Sequence, residues 1–186
     1  QEYGTAVAAN AQGLGSLAAQ YNRFVVEEVR LWVNREFRTE TSAAKTAVLG
    51  ASLGGLSAFD LAWNHPDVFG AVGVFSGSFW WRAGEAETAV PAGRRIAHSL
   101  VRQGRHHPGF RAWFQAGTRD ERDDRDNNGV IDAIQDTLEL MDDLRALGVA
   151  NGRDLVYVEV VNGRHDYATW SQVLPDFLLW AFPRFN

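Results

Sequence analysis

The sequence predicts an α/β domain, a mostly parallel sheet with helices on both faces. Three observations carry this. Short apolar runs alternate with segments of helical periodicity, the order that parallel strands and crossover helices impose. Residues 70–75 form an unbroken apolar run, as a parallel strand buried on both faces should. Finally, Gly50-Ala51-Ser52-Leu53-Gly54-Gly55 directly follows Thr46-Ala47-Val48-Leu49, so a strand turns sharply into a helix with one serine at the apex.

The elements follow in order. Residues 1–15 are small and polar and read as a loop. A helix is expected over roughly 16–37, with Tyr21, Val25, Val29, Trp32 and Val33 on one face. Strand one covers 46–49. The helix after the serine turn carries Leu56, Phe59, Leu61, Ala62 and Trp63 and is stopped by Asn64-His65-Pro66. Strand two, 70–75, ends at Ser76-Gly77-Ser78, and Phe79-Trp80-Trp81-Arg82 forms a loop or short turn. A weaker helix covers 94–101, strand three 111–115, and a polar loop 116–129. A helix then runs to Leu147 and is stopped by Gly148. Strand four is 155–161, a loop spans 162–166, and the final helix carries Trp170, Val173, Phe177, Leu178 and Trp180. No repeat or low-complexity linker interrupts the 186 residues, which fit one domain.

Composition narrows the function. A hydrophobic content of 46% supports a sizeable core, and a net charge of −5 gives no reason to propose a nucleic-acid partner. The absence of cysteine excludes disulfides, a thiolate nucleophile and a cysteine metal site, without fixing the compartment. No apolar run is long enough to span a bilayer, and the start is not a signal peptide. Gln1 in place of methionine leads us to expect a processed product or a fragment.

The serine turn matches G-x-S-x-G, the nucleophile elbow of serine hydrolases of the α/β-hydrolase type. Its serine sits on a strained turn with Oγ pointing out of the sheet edge. Side chains two residues to either side are expected to collide with neighbouring backbone, which calls for Gly50 and Gly54. The helix that follows aims N–H groups and its positive end at charge forming beside Ser52. A serine nucleophile needs a base, and the base needs an orienting acid. In this fold their order is Ser, then Asp or Glu, then His, each after a strand. His165, after strand four in Asn162-Gly163-Arg164-His165-Asp166, fits the base better than His65, His98, His106 or His107. After strand three, Asp120 is favoured as the acid, with Glu121 and Asp123 as alternatives. The N–H of Leu53 supplies one oxyanion donor. The second ordinarily comes from a loop after an earlier strand, and only one helix precedes the elbow here. The chain therefore reads as the C-terminal part of such a domain, lacking its N-terminal strands, and is expected to belong to a longer protein.

The elbow, Ala58-Phe59-Asp60-Leu61-Ala62, the segment from Phe75 to Trp81, the Gly117–Asp120 turn and Gly163-x-His165 together resemble an esterase family. Its members include the esterase D type and the enterochelin (ferric siderophore) esterases, with feruloyl esterases nearby and mycolyltransferases among the relatives. The resemblance covers nearly all of the chain. It implies carboxyl-ester hydrolysis through an acyl-serine, with Ser52 as nucleophile, Asp120 as acid and His165 as base, acting on a small-molecule ester. Phe79, Trp80, Trp81 and Arg82 follow the C-terminal end of a strand, where ligands bind in such sheets. They are read either as a substrate surface, with Arg82 drawing an anionic group, or as aromatics that close the core.

A second pattern lies in 124–135, inside the single domain. Asp124-Arg125-Asp126-Asn127-Asn128-Gly129-Val130-Ile131-Asp132 matches the calcium loop of EF-hands and dockerin-like modules. Asp124, Asp126, Asn128, Val130 (through its carbonyl), Asp132 and Gln135 are the candidate ligands of a structural Ca2+, and Gln135 departs from the usual bidentate Glu. The alternative is an acidic Asn-Gly turn that needs no ion. An ion there would rigidify the segment after Asp120 and would favour an extracytoplasmic setting. No organic cofactor is expected. A serine esterase is the leading function. A non-catalytic calcium-stabilised binding module and an acyltransferase on the same fold are the alternatives.

Overall fold

The computed structural model describes residues 2–84 and 94–183. Four parallel strands form one sheet in the order β1 (Ala47–Ala51), β2 (Ala71–Phe75), β3 (Arg111–Arg119), β4 (Leu155–Arg164). Each crossover carries a helix: α3 (Leu53–Asn64), α4 (Ile96–Gln103) and α5 (Asp132–Ala146), with α6 (Tyr167–Ala181) following β4. The expected α/β class is therefore present, a parallel sheet with helices on both faces.

Side-chain alternation along the strands explains the two faces. Val72 and Val74, Ala112 and Phe114, and Leu155 pack into the larger core with Leu56, Phe59, Ile96 and Leu140 from α3, α4 and α5. Phe75 and Trp113 point the other way and pack with Val173 and Phe177 of α6. Because β1 to β4 are consecutive neighbours, the three intervening helices share one face, as right-handed crossovers require, and α6 is left to cover the other. Among the described residues β1 pairs only with β2, so its outer edge is open and Leu49 is exposed there.

Several boundaries differ from expectation. β3 and β4 run three to four residues further than their apolar stretches. Their pairing continues to Arg119↔Arg164 past a bulge, with Asn162 at positive φ and its N–H held by Thr118 Oγ1 at 2.8 Å. The first helical region is α1 (Ala18–Arg23), a π-helical stretch at Phe24–Val29, and α2 (Arg30–Glu36). The wider π turn rotates the face, so Tyr21, Val25 and Val26 pack on the core while Trp32 is exposed. Residues 2–10 have no regular structure, yet Thr5, Ala8 and Asn10 are buried. Among the described residues no helix is long and apolar enough to cross a membrane.

Candidate active site

Ser52 ends β1 with φ 56° and ψ −127°, a left-handed conformation that costs a non-glycine residue about 1 kcal/mol or more. Neighbouring backbone holds it there. The Ser52 N–H donates to Phe75 O at 2.9 Å, and its carbonyl accepts from Gly55 N, Leu56 N and Ser78 N at 3.0–3.2 Å. A Cβ on Gly50 would lie 2.0 Å from Gly54 O, so this glycine is obligatory. Gly54 differs from expectation: a Cβ there meets nothing within 4 Å, because the residue faces a cavity. The second tight glycine is Gly55, whose Cβ would meet Val74 Cγ1 at 2.9 Å and Gly50 O at 3.1 Å. Leu53 and Gly54 are the first residues of α3, so helix geometry leaves their N–H groups without an intrahelical acceptor beside Ser52.

The cavity in front of Ser52 measures about 400 Å³ and is lined by Val48, Leu49, Leu61 and the aromatic rings of Tyr3, Tyr21, Tyr167 and Trp170. Among the described residues no charged side chain lines it. Trp170 joins this cavity to the base candidate. Its indole Nε1 donates to Ser76 Oγ at 2.9 Å, and the His165 ring packs against it edge-on at 5.2 Å. Ser76, at the end of β2, has φ 49°, and its hydroxyl points at Gln115 Oε1, 3.5 Å away. Trp170 reads in the sequence only as packing for the last helix. Its place one turn after a loop histidine is the signal that would single it out.

Asp120 follows β3 and His165 follows β4, one residue beyond the last paired positions of adjacent strands. Asp120 turns back so that Oδ2 accepts from Gly117 N at 2.9 Å, while Oδ1 is buried without a hydrogen-bond partner. Glu121 is occupied elsewhere. It accepts from Ala133 N at 2.5 Å at the start of α5, and burial raises its pKa. The backbone carbonyl of Asp123 accepts from Asp132 N at 2.8 Å, which fixes the chain there and leaves its carboxylate out of this bond. Tyr157, on β4, donates to Glu159 Oε2 at 3.0 Å; burial and the carboxylates of Glu159 and Asp120 push its pKa well up. His165 is exposed. Among the described residues Ser52, His165 and Asp120 share one end of the sheet but make no hydrogen bond to one another.

The expected substrate surface divides. Phe79 and Trp81 are 1% and 2% exposed and pack in the main core, Phe79 against Phe59 and Phe114. Of the four, only Trp80 and Arg82 reach solvent. Arg82 lies with Arg95, His98 and Arg125 around a separate polar hollow, away from Ser52. The position after β2 is legible from sequence, but the inward turn of the two rings is not.

The calcium-loop pattern also folds differently from the expected ligand cage. Asp124 spends both carboxylate oxygens on the N–H groups of Asn128 and Gly129. Asn128 Oδ1 accepts from Val130 N, and Gln135 bridges Asn128 and Asp126. Both oxygens of Asp132 are taken by Arg125, through its N–H and its guanidinium. Arg125 also pairs with buried Asp136 at 2.5 Å, and Arg95 pairs with the same carboxylate. Among the described residues no three His, Asp or Glu side chains converge as a metal site. In this arrangement a guanidinium faces only Asp132 among the candidate ligands, while backbone N–H groups and neutral amides hydrogen-bond the oxygens of Asp124, Asp126, Asn128 and Gln135.

The chain matches the family described as "Putative esterase" over residues 2–181. A comparison with curated proteins returns no match. Among solved structures, an enterochelin esterase from Shigella flexneri is similar with a TM-score of 0.68 at 24% identity, covering 89% of this chain and 37% of that one. A ferulic acid esterase follows at 0.63 and 17% identity, with 87% and 59% coverage. An S-formylglutathione hydrolase from Agrobacterium tumefaciens gives 0.59 and 20%, with 95% and 61% coverage. At these identities the likeness is one of fold, and the chain spans 37–61% of the length of these structures.

Proposed function

The chain belongs to the Putative esterase family, and from that premise we propose that it is a serine carboxylester hydrolase working through an acyl-serine. The observation that carries the reading is the strained Ser52 at the mouth of an uncharged cavity, directly before the N-terminus of α3. Ser52 Oγ attacks the ester carbonyl while His165 takes its proton. The negative charge that forms on the carbonyl oxygen is met by the Leu53 N–H and the positive end of α3. Collapse expels the alcohol, which receives the proton from His165, and leaves the acyl group on Ser52. Water, deprotonated by His165, then releases the acid and restores the serine. Asp120 holds the imidazole tautomer and stabilises its charged form. Its buried, unpartnered Oδ1 favours it over Glu121, whose carboxylate is tied to α5.

Trp170 gives the imidazole a flat surface between the end of β4 and the serine cavity. Closing the triad requires the exposed His165 side chain to reach both Ser52 and Asp120. Fluorophosphonate labelling of the full-length protein tests the proposal. Labelling that disappears in Ser52→Ala, together with Ser52-dependent hydrolysis of p-nitrophenyl acetate and butyrate, supports it. A folded wild-type protein that is not labelled overturns it in favour of a binding module. Product ester from an added alcohol acceptor, in place of free acid, would assign acyl transfer.

A further inference from the structure

Part of the wall of the Ser52 cavity comes from the start of the chain. Tyr3 and Tyr21 line it, their rings edge to face at 5.5 Å. Two buried polar side chains one turn apart on α3, Ser57 and Asp60, tie this wall to the helix that begins at the nucleophile. Ser57 Oγ accepts from Gly4 N at 2.9 Å. Asp60 Oδ2 accepts from two chain segments at once, Ala6 N at 2.9 Å and Asn22 Nδ2 at 2.7 Å. One carboxylate oxygen therefore holds a point three residues after Tyr3 and a point one residue after Tyr21. The other oxygen accepts from Asn64 Nδ2 at 3.1 Å.

All three partners are neutral donors. A carboxylate buried without a cation is costly, and burial pushes its pKa up to about 6. An apolar residue at this core-facing position would avoid that cost but could not accept two hydrogen bonds at one point. Every other core position of α3 from Leu56 to Trp63, apart from Ser57, is aliphatic or aromatic.

We propose that Asp60 is a positioning residue, and that the Tyr3–Tyr21 wall it fastens to α3 determines which uncharged acyl group fits beside Ser52. This rests on the serine-ester reading for the chemistry, though not for the tether itself. The wall is joined to the nucleophile helix by a few buried hydrogen bonds, so the width of the cavity depends on them.

The test uses p-nitrophenyl acetate, butyrate and hexanoate with Asp60→Ala, Asp60→Asn, Asn22→Ala and Tyr21→Ala. The expected result is that Asp60→Ala and Asn22→Ala shift the hexanoate-to-acetate ratio of kcat/KM by about tenfold, mainly through KM and in the direction set by Tyr21→Ala. Asp60→Asn keeps a carbonyl acceptor for Ala6 and Asn22 and stays within about twofold of wild type. If Asp60→Ala does not fold, Asn22→Ala reads the same tether. Amide hydrogen exchange at Ala6 reads it without turnover: protected in wild type and Asp60→Asn, fast in Asp60→Ala. Unchanged Ala6 protection in Asp60→Ala, or unchanged selectivity beside a shift in Tyr21→Ala, overturns the proposal. Loss of Ser52-dependent turnover in the wild type itself, with the exchange pattern as expected, refutes the esterase reading and leaves the tether standing.

Discussion

Replacing Asp60 by asparagine is expected to stabilise the protein at neutral pH and to flatten its stability between pH 4 and 6. Asp60 is almost wholly buried, and its pKa rises from an ordinary 3.8 to about 6 because burial penalises the charge more than three hydrogen bonds favour it. The folded state therefore binds a proton more tightly than the unfolded chain does. The stability this group adds is fully present below about pH 4 and is lost as pH rises through about 6. At about 1.4 kcal/mol for each pKa unit, the gap corresponds to roughly 3 kcal/mol missing at pH 7. Asparagine carries no charge to desolvate, but its amide must face Asn64 Nδ2, which takes back about 1 kcal/mol. The expected net gain is about 2 kcal/mol at pH 7, or a Tm higher by about 4–8 °C, falling through zero between about pH 4 and 5. Denaturant unfolding of both proteins at several pH values between 4 and 7.5 measures it. A variant less stable than wild type at pH 7 by the same amount as at pH 4 would refute the reasoning, because the charge would then carry no net cost.

The elbow geometry predicts that Gly50→Ala destabilises by about 3 kcal/mol or more, since its Cβ lies 2.0 Å from Gly54 O, while Gly54→Ala stays folded. Thermal melts separate the two. Asp120→Asn is expected to lower kcat by about 10³–10⁴-fold with little change in Tm, whereas Glu121→Gln, which touches α5, changes Tm more than kcat. Trp170→Phe removes the indole bond to Ser76 and is expected to lower stability by about 1 kcal/mol and to reduce kcat by disturbing the surface under His165. Added calcium or a chelator is expected to leave Tm unchanged, while Arg125→Gln lowers unfolding stability by about 2 kcal/mol because Asp136 then keeps only Arg95. A calcium-dependent rise in wild-type Tm would contradict the arginine-held loop.

Much of the fold is legible in the sequence because local and tertiary preferences agree. The strand at 70–75 is apolar at every position since both of its faces are covered, and the serine turn is marked by the steric need at Gly50. Legibility fails where one residue has two suitable environments. Phe79 and Trp81 look like a ligand platform after β2, and only the fold turns them inward. Asp60 stands in the sequence only as part of the Ala58–Ala62 run, with no mark of burial, and the hydrogen bond from Ala6 joins it to the start of the chain in the fold. The π turn at 24–29 leaves no mark in the apolar spacing, so Trp32 falls on the wrong face. In the calcium pattern the spacing does not reveal Arg125, whose guanidinium pairs with Asp132 and with buried Asp136.

The central claim is that Ser52 carries the acyl group. It is tested most directly by incubating the full-length protein with p-nitrophenyl acetate, quenching in acid and sequencing its peptides by mass spectrometry. The account predicts an acetyl group on the peptide containing Ser52, at the serine oxygen, accumulating further in His165→Ala if deacylation slows more than acylation, and absent in Ser52→Ala. Ester hydrolysis that leaves Ser52 unmodified and persists in Ser52→Ala would contradict it.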